Sequence, residues 1–249
     1  MNVYDSLIIG CGYAAVGYAA ANGNTVVCEE HQLCDTGFYL PLRAFAYSPY
    51  APKTAEGERL LEIFQELELF QNGQQNANGF EFALCKYITE RPLNVLLKCR
   101  VVDTQKREDG IYDITIHTNE GLTHLFARKI LRAAARPSTQ NTLTVLFTAT
   151  DIDGAKKALL SAFDGGSVES AFYEGRYALH LPVQGLDENA VKLAIYQKWQ
   201  SLQTDAKILY IAPVFYGKDE TLPLCDMNFD NPIEAFEQGY FYAAEEKNK

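Results

Sequence analysis

Apolar and polar positions change period several times along this chain, and each change marks an element. Ser6-Leu7-Ile8-Ile9 is a short apolar run, suited to a strand buried on both faces. A small-residue helix follows over Ala14 to Ala21, Asn22-Gly23-Asn24 stops it, and Thr25-Val26-Val27-Cys28 makes a second buried strand. Residues 31–53 carry three prolines and many aromatics without a period, which predicts an irregular, ordered segment. Thr54 to Gln71 has helical spacing, with Leu60, Leu61, Phe64 and Leu67 on one face and Glu56 and Glu58 at the positive end. Asn72 to Gly79 is expected as a turn or mobile loop, and Phe80 to Ile88 fits a strand or a helix.

The second half is more regular. Val95-Leu96-Leu97 predicts a buried strand and Val101-Val102 an extended continuation. Ile111 to Ile116 alternates, Asn119-Glu120-Gly121 turns, Thr123 to Ala127 returns, and Lys129 to Arg132 leads into Ala133-Ala134-Ala135. That is a strand, a β-meander and a return strand, broken by Arg136-Pro137-Ser138. From Thr142 the order becomes β-α-β-β-α-β. Its strands are Thr144–Thr148, two within Val168–Pro182 joined through Glu174-Gly175, and Lys207–Pro213. Its helices are Asp151–Phe163, with Ala155, Ala158, Leu159, Ala162 and Phe163 inward, and Asp187–Leu202, with Val191, Ala194, Ile195 and Trp199 inward. Such an order predicts helices on one face of an antiparallel sheet. A last helix starts at Asn231-Pro232, a cap and a first-turn proline, with Glu234 completing a capping box and Phe236, Tyr240, Ala243 and Ala244 inward.

Composition narrows the function classes. A hydrophobic fraction of 47% over 249 residues supplies a substantial core. A net charge of −10 without a basic cluster argues against nucleic acid as a partner. No run of 18 apolar residues predicts a membrane span, and the first strand starts too early to leave room for a leader peptide, so a cytoplasmic address is expected. The six cysteines and four histidines show neither C-x-x-C nor zinc spacing, so no metal site is expected.

The candidate chemistry lies in Gly10-Cys11-Gly12-Tyr13-Ala14-Ala15. This is a G-x-G-x-x-A loop between a strand and a helix. Gly10 allows the tight turn, Gly12 lets the backbone approach a pyrophosphate, and Ala15 permits close helix–strand packing. The first-turn N–H groups and the helix dipole would face the phosphates. Glu29 ends the second strand, where an acidic side chain can take ribose hydroxyls and would favour NAD over NADP if the ligand were a nicotinamide. Arg43 is the cation of the irregular segment placed to reach a pyrophosphate or a substrate anion, or else is a surface arginine. An ordinary βαβ unit with a glycine-rich turn is the alternative.

Both ends of the chain resemble the FAD-dependent oxidoreductases of the glutathione-reductase-like superfamily, which bind FAD with a two-segment Rossmann domain. The resemblance rests on the loop with Glu29, on Asn94 to Ala135, and on Cys225-Asp226 followed by Asn231-Pro232 and a helix. It implies an α/β fold in which residues 1–136 and 213–249 form a Rossmann-like FAD-binding domain with a β-meander. Residues 137–212 form an inserted α+β substrate domain. It further implies that the Val101 backbone reads the adenine edge, that Asp226 holds the ribityl chain, and that the last helix points its positive end at the flavin ring. Two departures stand out. Cys225 replaces a glycine, and Ala133-Ala134-Ala135 replaces a closing A-T-G. A second G-x-G-x-x-G is absent, so hydride is expected directly from a small-molecule substrate. His31, Tyr39, Tyr47, Tyr173 and Tyr177 are candidate bases by residue type alone. The alternatives are a degenerate, non-catalytic flavoprotein fold and an NAD-binding protein.

Overall fold

The first thirty residues fold as a strand–helix–strand unit: β1 (Tyr4–Ile9), α1 (Tyr13–Ala21) and β2 (Thr25–Glu29). The computed structural model describes residues 2–31, 33, 38, 42, 49–71, 73–133, 141–184, 187–213 and 215–247. Arg43, Tyr39, Tyr47, Ala134 and Ala135 lie outside the described residues.

Helix α2 (Ala55–Glu66) is capped by Thr54, whose hydroxyl accepts from the Gly57 N–H. It ends a turn earlier than its apolar spacing predicts. Glu68 turns left-handed at φ 51°, and the Glu68 and Leu69 amides donate back to Gln65 and Phe64. This is a Schellman closure, and it leaves Leu67 exposed while Leu60, Ile63 and Phe64 are buried. Strand β3 (Phe70–Gln71) pairs antiparallel with β4 (Gln74–Gln75), and a 3₁₀ turn follows over Ala77–Gly79, where a turn or mobile loop was expected. Phe80–Thr89 resolves as helix α3.

Next come β5 (Asn94–Leu97), β6 (Arg100–Lys106), β7 (Tyr112–Thr118) and β8 (Gly121–Arg132). The sheet order is β5-β2-β1-β8-β7-β6, with β5, β2, β1 and β8 parallel and β8, β7 and β6 antiparallel. The last meander strand and the return strand, expected as separate strands, are one continuous β8. No glycine or proline interrupts residues 122–132. Ala127 is therefore the pivot, paired with Tyr112 on one side and Tyr4 on the other. Helices cover one face of the sheet. On the other face, Ile114, Ile116 and Ala127 share a buried cluster with Leu7, Val26 and Cys28.

The second sheet is built from β9 (Asn141–Thr148), α4 (Ile152–Ala162), β10 (Ser167–Ser170), β11 (Arg176–Val183), α5 (Glu188–Gln200) and β12 (Lys207–Ile211). Its order, β10-β11-β9-β12, is fully antiparallel, as the β-α-β-β-α-β pattern predicts. Asp151 and Asp187 cap the two helices through the Gly154 and Ala190 amides. Leu143, Val145 and Phe147 pack with Leu159, Ile195 and Trp199, the Phe147 and Trp199 rings lying 5.5 Å apart. Ala194, expected inward, is exposed. Thr144, Ala178 and His180, of the opposite parity, occupy the face turned away from the helices.

The chain closes with α6 (Pro232–Lys247), started by Asn231, whose side-chain oxygen accepts from the Ile233 and Glu234 amides. Helix α6 crosses α1 at backbone contact. A Cβ on Gly17 would stand 1.9 Å from the Phe236 carbonyl oxygen, and one on Gly239 would stand 1.9 Å from that of Ala14. No rotamer change relieves a backbone clash, so the two helices would have to separate. Gly17→Ala and Gly239→Ala are each expected to cost about 3 kcal/mol or more. Gly23→Ala, with nothing within 4 Å, should stay within about 0.5 kcal/mol of the parent; urea unfolding of the three variants measures the contrast.

Candidate functional site

The site is assembled at the carboxyl end of β1, where the sheet order is favourable for a ligand crevice. Gly10 has φ 98°, the left-handed conformation expected of a glycine at this turn. Gly12 is the N-cap of α1 and has no side chain with which to close the helix end. Asp226 does so from the far end of the sequence. Its Oδ2 accepts from the Tyr13 amide at 2.8 Å and its Oδ1 from the Ala14 amide at 2.9 Å. A Cβ on Gly12 would lie 2.4 Å from Asp226 Oδ2, so the missing side chain is what admits the carboxylate. Glu29, also buried, accepts from the Cys11 amide at 2.7 Å through Oε2 and from the His31 amide at 2.8 Å through Oε1.

The glycine-rich turn therefore directs three backbone N–H groups, those of Cys11, Tyr13 and Ala14, at two buried carboxylates. This is the donor set of an anion seat: convergent amides at a helix N-terminus with the dipole behind them. The Cys11 thiol is buried, and its pKa is driven well above the ordinary value by burial, then by the charges of Glu29 and Asp226. Ala15 is fully buried, as the tight helix–strand packing requires.

The sequence-based candidates thus divide. Gly10, Cys11, Gly12, Tyr13, Ala14, Ala15, Glu29 and Asp226 converge on one helix end. Val101 lies on β6, half-buried, at an irregularity where Val101 and Asp103 face consecutive partners on β7. Cys225 has φ −83° and ψ 115°, so its backbone makes no demand that only glycine could meet. Among the candidate bases, His31 sits beside Glu29 at the crevice. Tyr173 is exposed, and Tyr177 packs against Phe147 on the helix-covered face of the second sheet.

One polar array escaped sequence reasoning. On the face turned away from α4 and α5, Glu169 Oε1 lies 2.9 Å from His180 Nε2. His180 Nδ1 is 2.9 Å from Thr144 Oγ1 and 3.2 Å from the Tyr216 hydroxyl. An ionised carboxylate only accepts, which assigns the imidazole proton to Nε2 and leaves Nδ1 to accept from a hydroxyl. Both ring nitrogens of His180 thus have partners in the array. Its partners come from β9, β10 and the residues after β12, and no local spacing announces them.

Among the described residues no group of three or more His, Cys, Asp or Glu side chains could hold a metal ion. None of their helices is long and apolar enough to cross a membrane.

Comparison with known proteins separates sequence from fold. No protein-family model matches the chain, and no curated protein matches it in sequence. Solved structures do match. They include p-nitrophenol 4-monooxygenase PnpA from Pseudomonas putida DLL-E4, with TM-score 0.54 and 12% identity over 86% of this chain and 67% of that one. A ternary complex of aklavinone-11 hydroxylase with FAD and aklavinone matches at TM-score 0.54 and 12% identity, covering 99% and 64%. CabE, an aromatic hydroxylase from angucycline biosynthesis, matches at 0.51 and 12%, covering 87% and 52%. The chain thus spans between about half and two thirds of the length of these neighbours. It shares the mixed α/β, Rossmann-like fold of FAD-dependent aromatic hydroxylases.

The cysteines offer a check on the site's enclosure. Cys11, Cys28, Cys99 and Cys225 are buried and Cys85 is exposed. Burial raises the thiol pKa of Cys11, Cys28 and Cys99. Iodoacetamide at pH 8 is expected to label Cys85 in the native protein, and the four buried thiols only after denaturation. Peptide mass spectrometry reads the pattern, and native labelling of Cys11 would mean the crevice is open to solvent.

Proposed function

We propose that this chain is an FAD-dependent oxidoreductase acting on a small organic molecule. The observation that carries the reading is the convergence of the β1–α1 loop, Glu29 and Asp226, residues from both ends of the sequence, on one helix N-terminus. The donor set suits a dinucleotide: Gly12 puts no side chain in front of the amides, and these already hold anionic oxygens, with the Asp226 carboxylate in the place a phosphate would take. The fold shared with FAD-dependent hydroxylases supports FAD over a nicotinamide nucleotide.

In this reading Gly10, Cys11, Gly12, Tyr13, Ala14 and Ala15 cradle the pyrophosphate, Glu29 takes the adenosine ribose, and Val101 lies along the adenine. Arg43 offsets phosphate charge, and Asp226 meets the flavin side of the chain. FAD when bound supplies the two-electron chemistry; the protein's part is to bind it, orient the substrate and exclude water. Residues 1–136 and 213–249 make up the cofactor domain and residues 137–212 the substrate domain. The substrate lies on the sheet face that carries His180, with His180 handling its proton and Glu169 fixing the tautomer. The named activities of the neighbours make aromatic compounds the first class to screen.

The Asp226 carboxylate on the Tyr13 and Ala14 amides also favours a second reading, a flavoprotein fold that has closed its own site. The visible spectrum of the purified protein separates the two. Bands near ~370 and ~450 nm, with FAD released on heating, are expected. A folded, colourless protein that takes up no added FAD refutes the enzyme reading. Once a substrate is found, His180→Asn should lower kcat by about 100-fold or more with flavin content unchanged, measured by steady-state kinetics and absorbance. Loss of flavin from this variant would assign His180 to cofactor binding.

A further inference from the structure

We propose that Cys28 and Cys99 are a redox modification site: a peroxide closes them to a disulfide, and a small thiol reopens it. The inference is independent of what the crevice binds. Three observations carry it. First, both are buried in the cluster on the sheet face turned away from the helices, where their thiols share a hydrogen bond. Second, the Cys99 amide donates to the Glu29 carbonyl at 2.9 Å, so the two backbones already run side by side, as a disulfide requires. Third, Cys99 lies in a surface turn. Leu97, Lys98 and Arg100 around it are exposed, and Lys98 stands left-handed at φ 53°, a conformation costly for a residue with a side chain.

The two sulfurs differ in access. Cys28 is held on β2, paired with β1 on one side and β5 on the other. Cys99 needs only its turn to open, a local event far smaller than unfolding. At rest, burial raises the pKa of both thiols, which keeps them protonated and unreactive. An opened turn places Cys99 in water between two cations, Lys98 and Arg100 (the latter 3.5 Å from Glu30), and favours its thiolate. Its sulfur attacks hydrogen peroxide: an S–O bond forms, the O–O bond breaks, and one water leaves. When the turn recloses, the Cys28 sulfur attacks that of Cys99. The S–S bond forms, the S–O bond breaks, and the hydroxyl leaves with the Cys28 proton as a second water. Two thiols are thus oxidised and one peroxide is reduced. The bond ties the end of β2, one residue before Glu29, to the β5–β6 turn. Cys11 also senses the charge of Cys28, but it packs in the separate cluster under the helices.

The test treats the full chain carrying Cys85→Ser, which removes the exposed thiol, with hydrogen peroxide at pH 8. After removal of peroxide the sample is denatured in iodoacetamide and digested without reduction, and its peptides are read by mass spectrometry. A linked pair of peptides holding Cys28 and Cys99 is expected. Both cysteines should be lost from the alkylated pool in equal amounts and restored to it by dithiothreitol. In the same background, Cys28→Ala should leave Cys99 as a sulfenic acid that dimedone traps, and Cys99→Ala should leave Cys28 a thiol. The intact pair answers the main question, so the test holds if either alanine variant folds poorly. Full alkylation of Cys28 and Cys99 after peroxide overturns the inference. So does a link from either one to any other cysteine, or a Cys28–Cys99 link that forms only when peroxide is added in denaturant.

Discussion

The contact between α1 and α6 is the constraint on which the rest depends. Gly17 and Gly239 bring two helix backbones together without intervening side chains, each glycine against a carbonyl of the other helix. Other features follow from that approach. Tyr18 of α1 reaches Glu246 of α6, and Lys129 of β8 reaches the same carboxylate, tying both helices to the sheet. Burial raises the Glu246 pKa, but hydrogen bonds from Lys129 and Tyr18 outweigh it and hold the carboxyl below the usual range. The C-terminal segment is then docked closely enough for Asp226, just upstream, to meet the start of α1. A larger residue at either glycine would move the helix and, with it, the acid at the glycine-rich loop.

Buried carboxylates help to close two helix starts here. Asp226 finishes the N-terminus of α1. Glu237, fully buried on α6, accepts from the Lys53 and Thr54 amides and from the Thr54 and Tyr50 hydroxyls at the start of α2. In each case backbone amides at a helix's positive end donate to a buried carboxylate. The arrangement suits a chain of net charge −10. It also means that a negative charge at the glycine-rich loop is part of the folded architecture, met by any anionic ligand that arrives there.

What the sequence disclosed is what the backbone demands locally. Gly10 and Gly12 were legible because a left-handed turn and a close approach leave few alternatives to glycine. Asp187 and Asn231 were legible as caps because a cap acts within three residues. The helical end at Glu66 was not, since a Schellman turn with glutamate at its left-handed position carries no glycine to mark it. The continuity of β8 was missed for a different reason. The switch of partner from β7 to β1 at Ala127 happens across the sheet, and the strand's own pattern does not register it.

The chemistry was legible in the same uneven way. The crevice at β1 is written in one contiguous stretch, so its donors could be named from the sequence, although the acid that caps them lies more than two hundred residues on. The Glu169–His180–Thr144–Tyr216 array has no contiguous part. It exists because an antiparallel sheet of order β10-β11-β9-β12 sets β11 between β10 and β9, so that one imidazole on β11 meets an acid on one side and a hydroxyl on the other. His180 pairs across to Thr144, and Glu169 lies on the diagonal, with the same parity and hence the same face. Sequence alone offered His31 and four tyrosines by residue type. The topology selected a histidine by placement.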